Sequence, residues 1–325
     1  MKKIAPPVLL FFLAPITGEM LSGSAPPVEF FTPVGFIVLA ILYGGGAILV
    51  REAVIRWRKG WASLLLLGAA YGIIEEGLMV KSFFDPLWQD IDVLGSYGRW
   101  GGINWIWSLE LTIYHAVISI AIPILLTELI FPHGRHDSWL SKTSIVVLSV
   151  WFVINVVVGN FIMTEYQPGA LQYLLGIAGV VILILIARIL PHRISVIEER
   201  KVGHPFRFWL LSFIAAILFM ITFWALPNTS IPAFVTAAIG IALAAFFIWW
   251  VMRLSGNTHA WDDRHRLALA SGPLSVFILM TPIHEFDSSR TDNTSGMIVV
   301  GIAALVFLVW LNWRTAKRIK EAANE

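Results

Sequence analysis

Cysteine is absent from this 325-residue chain, which excludes a disulfide framework and any thiolate metal site. Charge is scarce as well. Asp, Glu, Lys and Arg make up 14% of the residues against 58% hydrophobic, and the mean hydropathy is +0.77. Soluble domains of this length do not have that composition. Extended polar stretches are also missing: the longest are 83–103, 191–205 and 285–295, so function must lie within a membrane or at its faces. The formal net charge of +2 offers no polycationic surface for a nucleic acid, and none is expected as a partner.

What the chain does have is a succession of apolar runs. They begin near Ile4, Val34, Trp61, Asn104, Ser144, Leu171, Phe208, Ile231, Leu267 and Met297. Most approach the roughly 20 residues needed to cross a hydrocarbon core. The expected fold is an all-α, polytopic transmembrane helix bundle of about ten spans in the cell membrane, with the lipid bilayer as its constant partner. The first run, Ile4 to Ile16, is short and holds Pro6, Pro7 and Pro15. It reads as a tilted span, a re-entrant segment, or a signal peptide introduced by Lys2 and Lys3. If loops alternate between the two sides, only Lys81, Arg99 and Arg290 of the 23 basic residues fall on one side. That asymmetry predicts both termini in the cytoplasm. Three regions are expected: 1–33, a short N-terminal segment with its loop; 34–165, a core carrying the polar site; and 166–325, a further five-span bundle.

Within Leu64 to Val80 stand two adjacent acids, Glu75 and Glu76. A charge near the middle of a span costs roughly 2.5–3.5 kcal/mol on insertion scales, so the pair asks for a compensating proton, cation or basic partner. Gly68 and Gly72 precede them one turn apart, and small residues at that spacing let a neighbouring helix approach closely. The next run carries Asn104, Ser108, Thr112, His115 and Ser119 at helical spacing, a polar stripe that should face protein or water rather than acyl chains. A shared cavity is expected if the two spans pack antiparallel, with Glu75 and His115 pointing into it and Glu76, Asn155 and Glu110 on its wall. The alternative for each is structural: Ser and Thr bond their own backbone, Asn glues helices, and a buried histidine is satisfied by one neighbour. Arg51 and Glu52 read as interfacial anchoring. Glu19, Asp85 and Trp107 read as a solvated rim and aromatic belt.

Gly-Ile-Ile-Glu75-Glu76, His115 in the following helix and Asn155 in the one after resemble the CAAX protease and bacteriocin-processing family of intramembrane peptidases. Val80 stands where that family's pattern has arginine, Leu111 where it has phenylalanine and Trp151 where it has its last histidine. The resemblance implies Glu75 as general base with Glu76 as partner, and a metal site of Glu75, His115 and Asn155 for a divalent ion such as zinc. The substrate would be a membrane peptide or a small molecule. Two other classes compete: a proton- or cation-coupled transporter using the same acids, and a non-catalytic membrane binding protein.

Overall fold

The computed structural model describes residues 5–89, 91–192, 201–255 and 261–322. Lys2, Lys3, Arg193 and Arg200 of the expected basic side lie outside these residues. The chain is an all-helical polytopic bundle. Among the described residues nine helices are long and apolar enough to cross a bilayer: α2 (Pro33–Arg56), α3 (Trp61–Met79), α4 (Trp105–Ile130), α5 (Lys142–Ile162), α6 (Ala170–Ile189), α7 (Pro205–Asn228), α8 (Ala233–Ser255), α9 (Asp263–Phe286) and α10 (Met297–Ala322). A shorter apolar helix, α1 (Ala5–Met20), precedes them. Helix starts follow the local chemistry. Thr32, Asn104, Ser141 and Asp262 each accept a backbone N–H of the first turn that would otherwise be unpaired.

The bundle is organised around α4. Of its apolar stretch 78% is buried, against 11% for α5, α6 and α8. Two apolar clusters explain this. Ile120 and Ile124 pack with Leu10 of α1, Tyr43 of α2 and Leu67 and Tyr71 of α3. On its other side Ile118 and Leu126 pack with Leu274 and Phe277 of α9 and Leu311 of α10. The perimeter helices instead turn Val, Ile, Leu and Phe outward, as with Phe161 at 72% and Ile189 at 78% exposure, which suits acyl chains.

α3 and α4 meet backbone to backbone. A Cβ placed on Gly68 would lie 2.9 Å from the Ala116 Cα, and one on Gly72 would lie 3.0 Å from the His115 Cβ. The two glycines therefore set the depth at which His115 meets the end of α3.

One end of the bundle collects Arg51, Lys59, Arg135, Asp263 and Arg318. Lys59 Nζ donates to the Leu190 carbonyl at 2.7 Å, and Arg318 donates to Leu129 at 2.9 Å, so cations cap helix C-termini there. Arg135 and Arg318 each reach Asp263 at 2.7 Å, tying the loop after α4 and the end of α10 to the start of α9. Arg51 and Glu52 are not interfacial anchors, because each is only 1% exposed. Arg51 contacts Glu52 and Glu128 at 3.3 Å, donates to the Asp137, Gly134 and Arg135 carbonyls, and lies 3.4 Å from the centre of the Trp139 ring. Glu52 accepts from the Trp139 backbone N–H and the Ser138 hydroxyl.

The three basic residues of the other end also bind backbone. Lys81 donates to the Asn160 and Thr164 carbonyls at the end of α5, Arg99 to Phe84 and Gly95, and Arg290 to Gly23. Two hydrogen bonds from Arg290 hold the Asp292 carboxyl below the usual carboxylate range.

Two substitutions test this frame. Gly68→Leu should lower the melting temperature of the purified protein, since overpacking against backbone costs about 1–3 kcal/mol; an unchanged melting curve would contradict the α3–α4 contact. Arg51→Ala should destabilise by roughly 3–5 kcal/mol, because it strands Glu52 without its buried partner. Rescue of that loss by the double change with Glu52→Gln, measured by the same melting assay, would locate the effect in the pair.

Candidate functional site

The last turns of α3, Ile73–Met79, widen into a π-helix, where Val80 N–H reaches back to the Glu75 carbonyl at 2.9 Å. Widening the turn brings successive side chains closer in direction, so Glu75 and Glu76 both address α4. α4 answers with its own π segment, His115–Ala121. His115 Nε2 lies 2.9 Å from Glu76 Oε1, and its Nδ1 lies 3.0 Å from Ser119 Oγ and 3.3 Å from Glu75 Oε2. The imidazole thus stands between the two carboxyl groups. One ligand atom from each of Glu75, Glu76 and His115 can be chosen so that all three lie within 4.8 Å of one another.

Two further helices complete the enclosure. In α1 the π segment Ile16–Met20 carries Glu19, and in α2 the π segment Ala40–Gly44 carries Tyr43, whose hydroxyl donates to Glu19. Gly18 allows this approach, since a Cβ there would run into the Tyr43 ring and Ser119. Tyr114 donates to the Gly18 carbonyl at 2.6 Å. Three of the six tyrosines of the chain surround the imidazole, with Tyr43 and Tyr71 at 6.0 Å and Tyr114 edge-on at 5.3 Å between ring centres. On the loop side Ser82 donates to Glu76 and accepts the Trp107 indole N–H at 3.0 Å. Lys81, between the π-helix and Ser82, has a left-handed backbone (φ 65°), a conformation that costs energy in a residue with a side chain.

Polar satisfaction is incomplete. Glu75 Oε2 is buried, and its contact with His115 Nδ1 at 3.3 Å is long and shared with Ser119. Most buried polar atoms in native structures are paired, and a weakly paired carboxylate oxygen in a low-dielectric interior favours a proton, a ligand or a bound ion.

The polar stripe divides. His115 and Ser119 belong to the group, whereas Asn104 caps α4 and donates to the Leu94 carbonyl, and Ser108 bonds the Asn104 carbonyl at 2.6 Å. Thr112 contributes backbone to the Gly72 contact. Glu110 turns towards α7, where the Trp224 indole N–H donates to its Oε1 at 2.5 Å, leaving Oε2 unpaired. The Asn155 amide donates to the Val38 carbonyl of α2 at 3.0 Å. His284 lies 3.2 Å from an Arg290 guanidinium nitrogen.

Glu19, Tyr43, Tyr71 and Trp107 are the residues that the sequence placed elsewhere or passed over. Tyr71 had a visible signal, standing four residues before Glu75 on the same helical face. Glu19 did not, since an acid after a short proline-containing run looks like the start of a loop.

A model of an uncharacterized membrane protein family matches residues 8–278. The chain belongs to that family. The match takes in most of α1, all of α2 to α8 and most of α9, hence every residue of the site. No curated protein and no solved structure matches the chain. The resemblance to the CAAX protease and bacteriocin-processing family is therefore not supported. The geometry gives the reason: in this family member Trp151 is 54% exposed on α5, Asn155 serves the α2 contact, and Lys81 caps α5. The spacing of Glu75, Glu76, His115 and Asn155 imitates a motif whose later positions point elsewhere.

The positioning of Glu76 by Ser82 and Trp107 predicts that Ser82→Ala leaves the fold intact but frees the carboxyl. The change should be seen as a shifted His115 imidazole resonance in NMR of histidine-labelled protein, and an unmoved resonance would disconnect Ser82 from the group.

Proposed function

We propose that this protein is a membrane-embedded, metal-dependent hydrolase whose divalent ion is held by Glu75, Glu76 and His115. The observation that carries the proposal is the triad of ligand atoms within 4.8 Å, with the His115 imidazole standing between the two carboxyl groups. Ligand atoms bonded to one ion at about 2.0–2.2 Å stand up to about 4.4 Å apart, so small side-chain movements suffice to close the set. Two carboxylates and an imidazole suit zinc or manganese better than a soft, thiolate-seeking ion. Three protein ligands leave coordination positions open, as catalytic rather than structural sites do.

The ion would polarise a carbonyl or lower the pKa of a bound water. The chain's own groups supply the remainder. Glu19, oriented by Tyr43, stands as a proton acceptor beside the triad, and the Tyr71 hydroxyl, whose ring lies 6.0 Å from the imidazole, would donate to a developing oxyanion. Ser119 holds the second ring nitrogen of His115, which fixes the imidazole for its ligand role. A membrane-borne amide or ester is the substrate class that reaches such a site. The positive-inside rule favours placing the end that bears Arg51, Lys59 and Arg135 in the cytoplasm, with the triad nearer the opposite face.

Titration of stripped, purified protein with Zn²⁺ or Mn²⁺ should yield one ion per chain, and both Glu75→Gln and His115→Ala should abolish that binding while retaining folded yield. Ser119→Ala should weaken it by about 10–100-fold. Equal binding by wild type and Glu75→Gln would overturn the site. Hydrolysis of membrane-reconstituted peptide and ester probes should be lost on chelation and restored by the ion. Ion flux through proteoliposomes without hydrolysis would replace the enzyme with a cation transporter using the same ligands.

A further inference from the structure

At the basic end of the bundle, Arg264 on the first turn of α9 and Trp313, Ala316, Lys317, Ile319 and Lys320 on the last turns of α10 line an open cleft of about 560 Å³. Among the described residues its charge is not neutralised from within. The acid of that region, Asp263, is engaged by Arg135 and Arg318 at 2.7 Å and Arg266 at 3.5 Å. Arg264 Nε is buried without a hydrogen-bond partner among the described residues. Lys317 meets Glu321 only at 3.8 Å in an exposed pair, and its ammonium lies 5.6 Å from the centre of the Trp313 ring. A guanidinium stripped of water on one nitrogen and flanked by two ammonium groups is a site for an anion with several acceptor oxygens.

The position of the cleft narrows the anion. Trp310 and Trp313, 39% and 60% exposed, mark the level where α10 leaves the hydrocarbon, because indoles concentrate at membrane interfaces. Beyond them along α10, Ile302, Leu305, Val306 and Val309 are all more than half exposed and form an apolar strip leading away from the cleft. Cationic floor, indole rim and apolar strip follow one another in the order of a phospholipid's phosphate, glycerol and acyl chain.

We propose that this cleft binds the phosphate of an anionic phospholipid, whose acyl chains lie along α10. This site is independent of the Glu75, Glu76 and His115 reading. Basic pockets between membrane helices at the interface are built for such headgroups, and each cation near the surface contributes about a fivefold gain in binding.

Native mass spectrometry of the full chain, released from nanodiscs containing phosphatidylglycerol or phosphatidylcholine, provides the test. Retained phosphatidylglycerol without retained phosphatidylcholine is the expected result. The triple variant Arg264→Gln, Lys317→Gln, Lys320→Gln should lose about a hundredfold in phosphatidylglycerol affinity. Should that variant fail to fold, the single change Lys320→Gln, at an exposed helix end, should still cost about fivefold. Equal retention of the two lipids, or unchanged affinity in a folded variant, would overturn the proposal. Displacement of the lipid by millimolar inorganic phosphate would overturn it too, by making free phosphate the ligand.

Discussion

The backbone contact between α3 and α4 is the constraint on which the rest of the molecule depends. Gly68 and Gly72 leave no side chain between the helices, so Ala116 and His115 sit directly against α3. Any larger residue would hold the imidazole away from Glu75 and Glu76, and two carboxyl groups would then be left in a low-dielectric interior without their partner. α4 is enclosed because it serves two cores at once, and that enclosure keeps acyl chains from the polar group.

The π segments are the second organising device. Among the described residues there are five, and each carries a member of the buried polar network: Glu19, Tyr43, the Glu75–Glu76 pair, His115 with Ser119, and Trp224, which holds Glu110. A regular α-helix spaces neighbouring side chains too far apart in direction for Glu75 and Glu76 to meet one imidazole. A π turn removes that obstacle at the expense of poorer local backbone bonding, and such turns recur where function demands a particular side-chain direction.

Charge plays opposite parts at the two ends. The crowded basic end uses Arg51, Arg135 and Arg318 to clamp helices through buried acids and helix C-terminal carbonyls, and it leaves Arg264, Lys317 and Lys320 lining an open cleft. The sparse end uses each of its three cations on backbone carbonyls, which is why so few suffice there. The asymmetry that reads as topology in the sequence is also the means by which the helix ends are satisfied.

Sequence by itself determined the membrane setting, the succession of apolar segments with a short first one, the Gly68–Gly72 approach face and the pairing of Glu75 and Glu76 with His115. These follow from composition, length and helical spacing, which are local properties. Tertiary structure alone decided that Glu19 and Tyr43 join the group and that Asn155 and Glu110 turn to α2 and α7. It also decided that Arg51 and Glu52 are buried. Each of those outcomes depends on how helices distant in sequence are rotated about their own axes, which one apolar face does not specify when most of the helix surface is apolar. The π turns add a further rotation that no residue pattern announces, since Ile73–Met79 contains nothing to distinguish a widened turn from a regular one. Local chemistry named the acids and the imidazole, and only packing settled which other groups they meet.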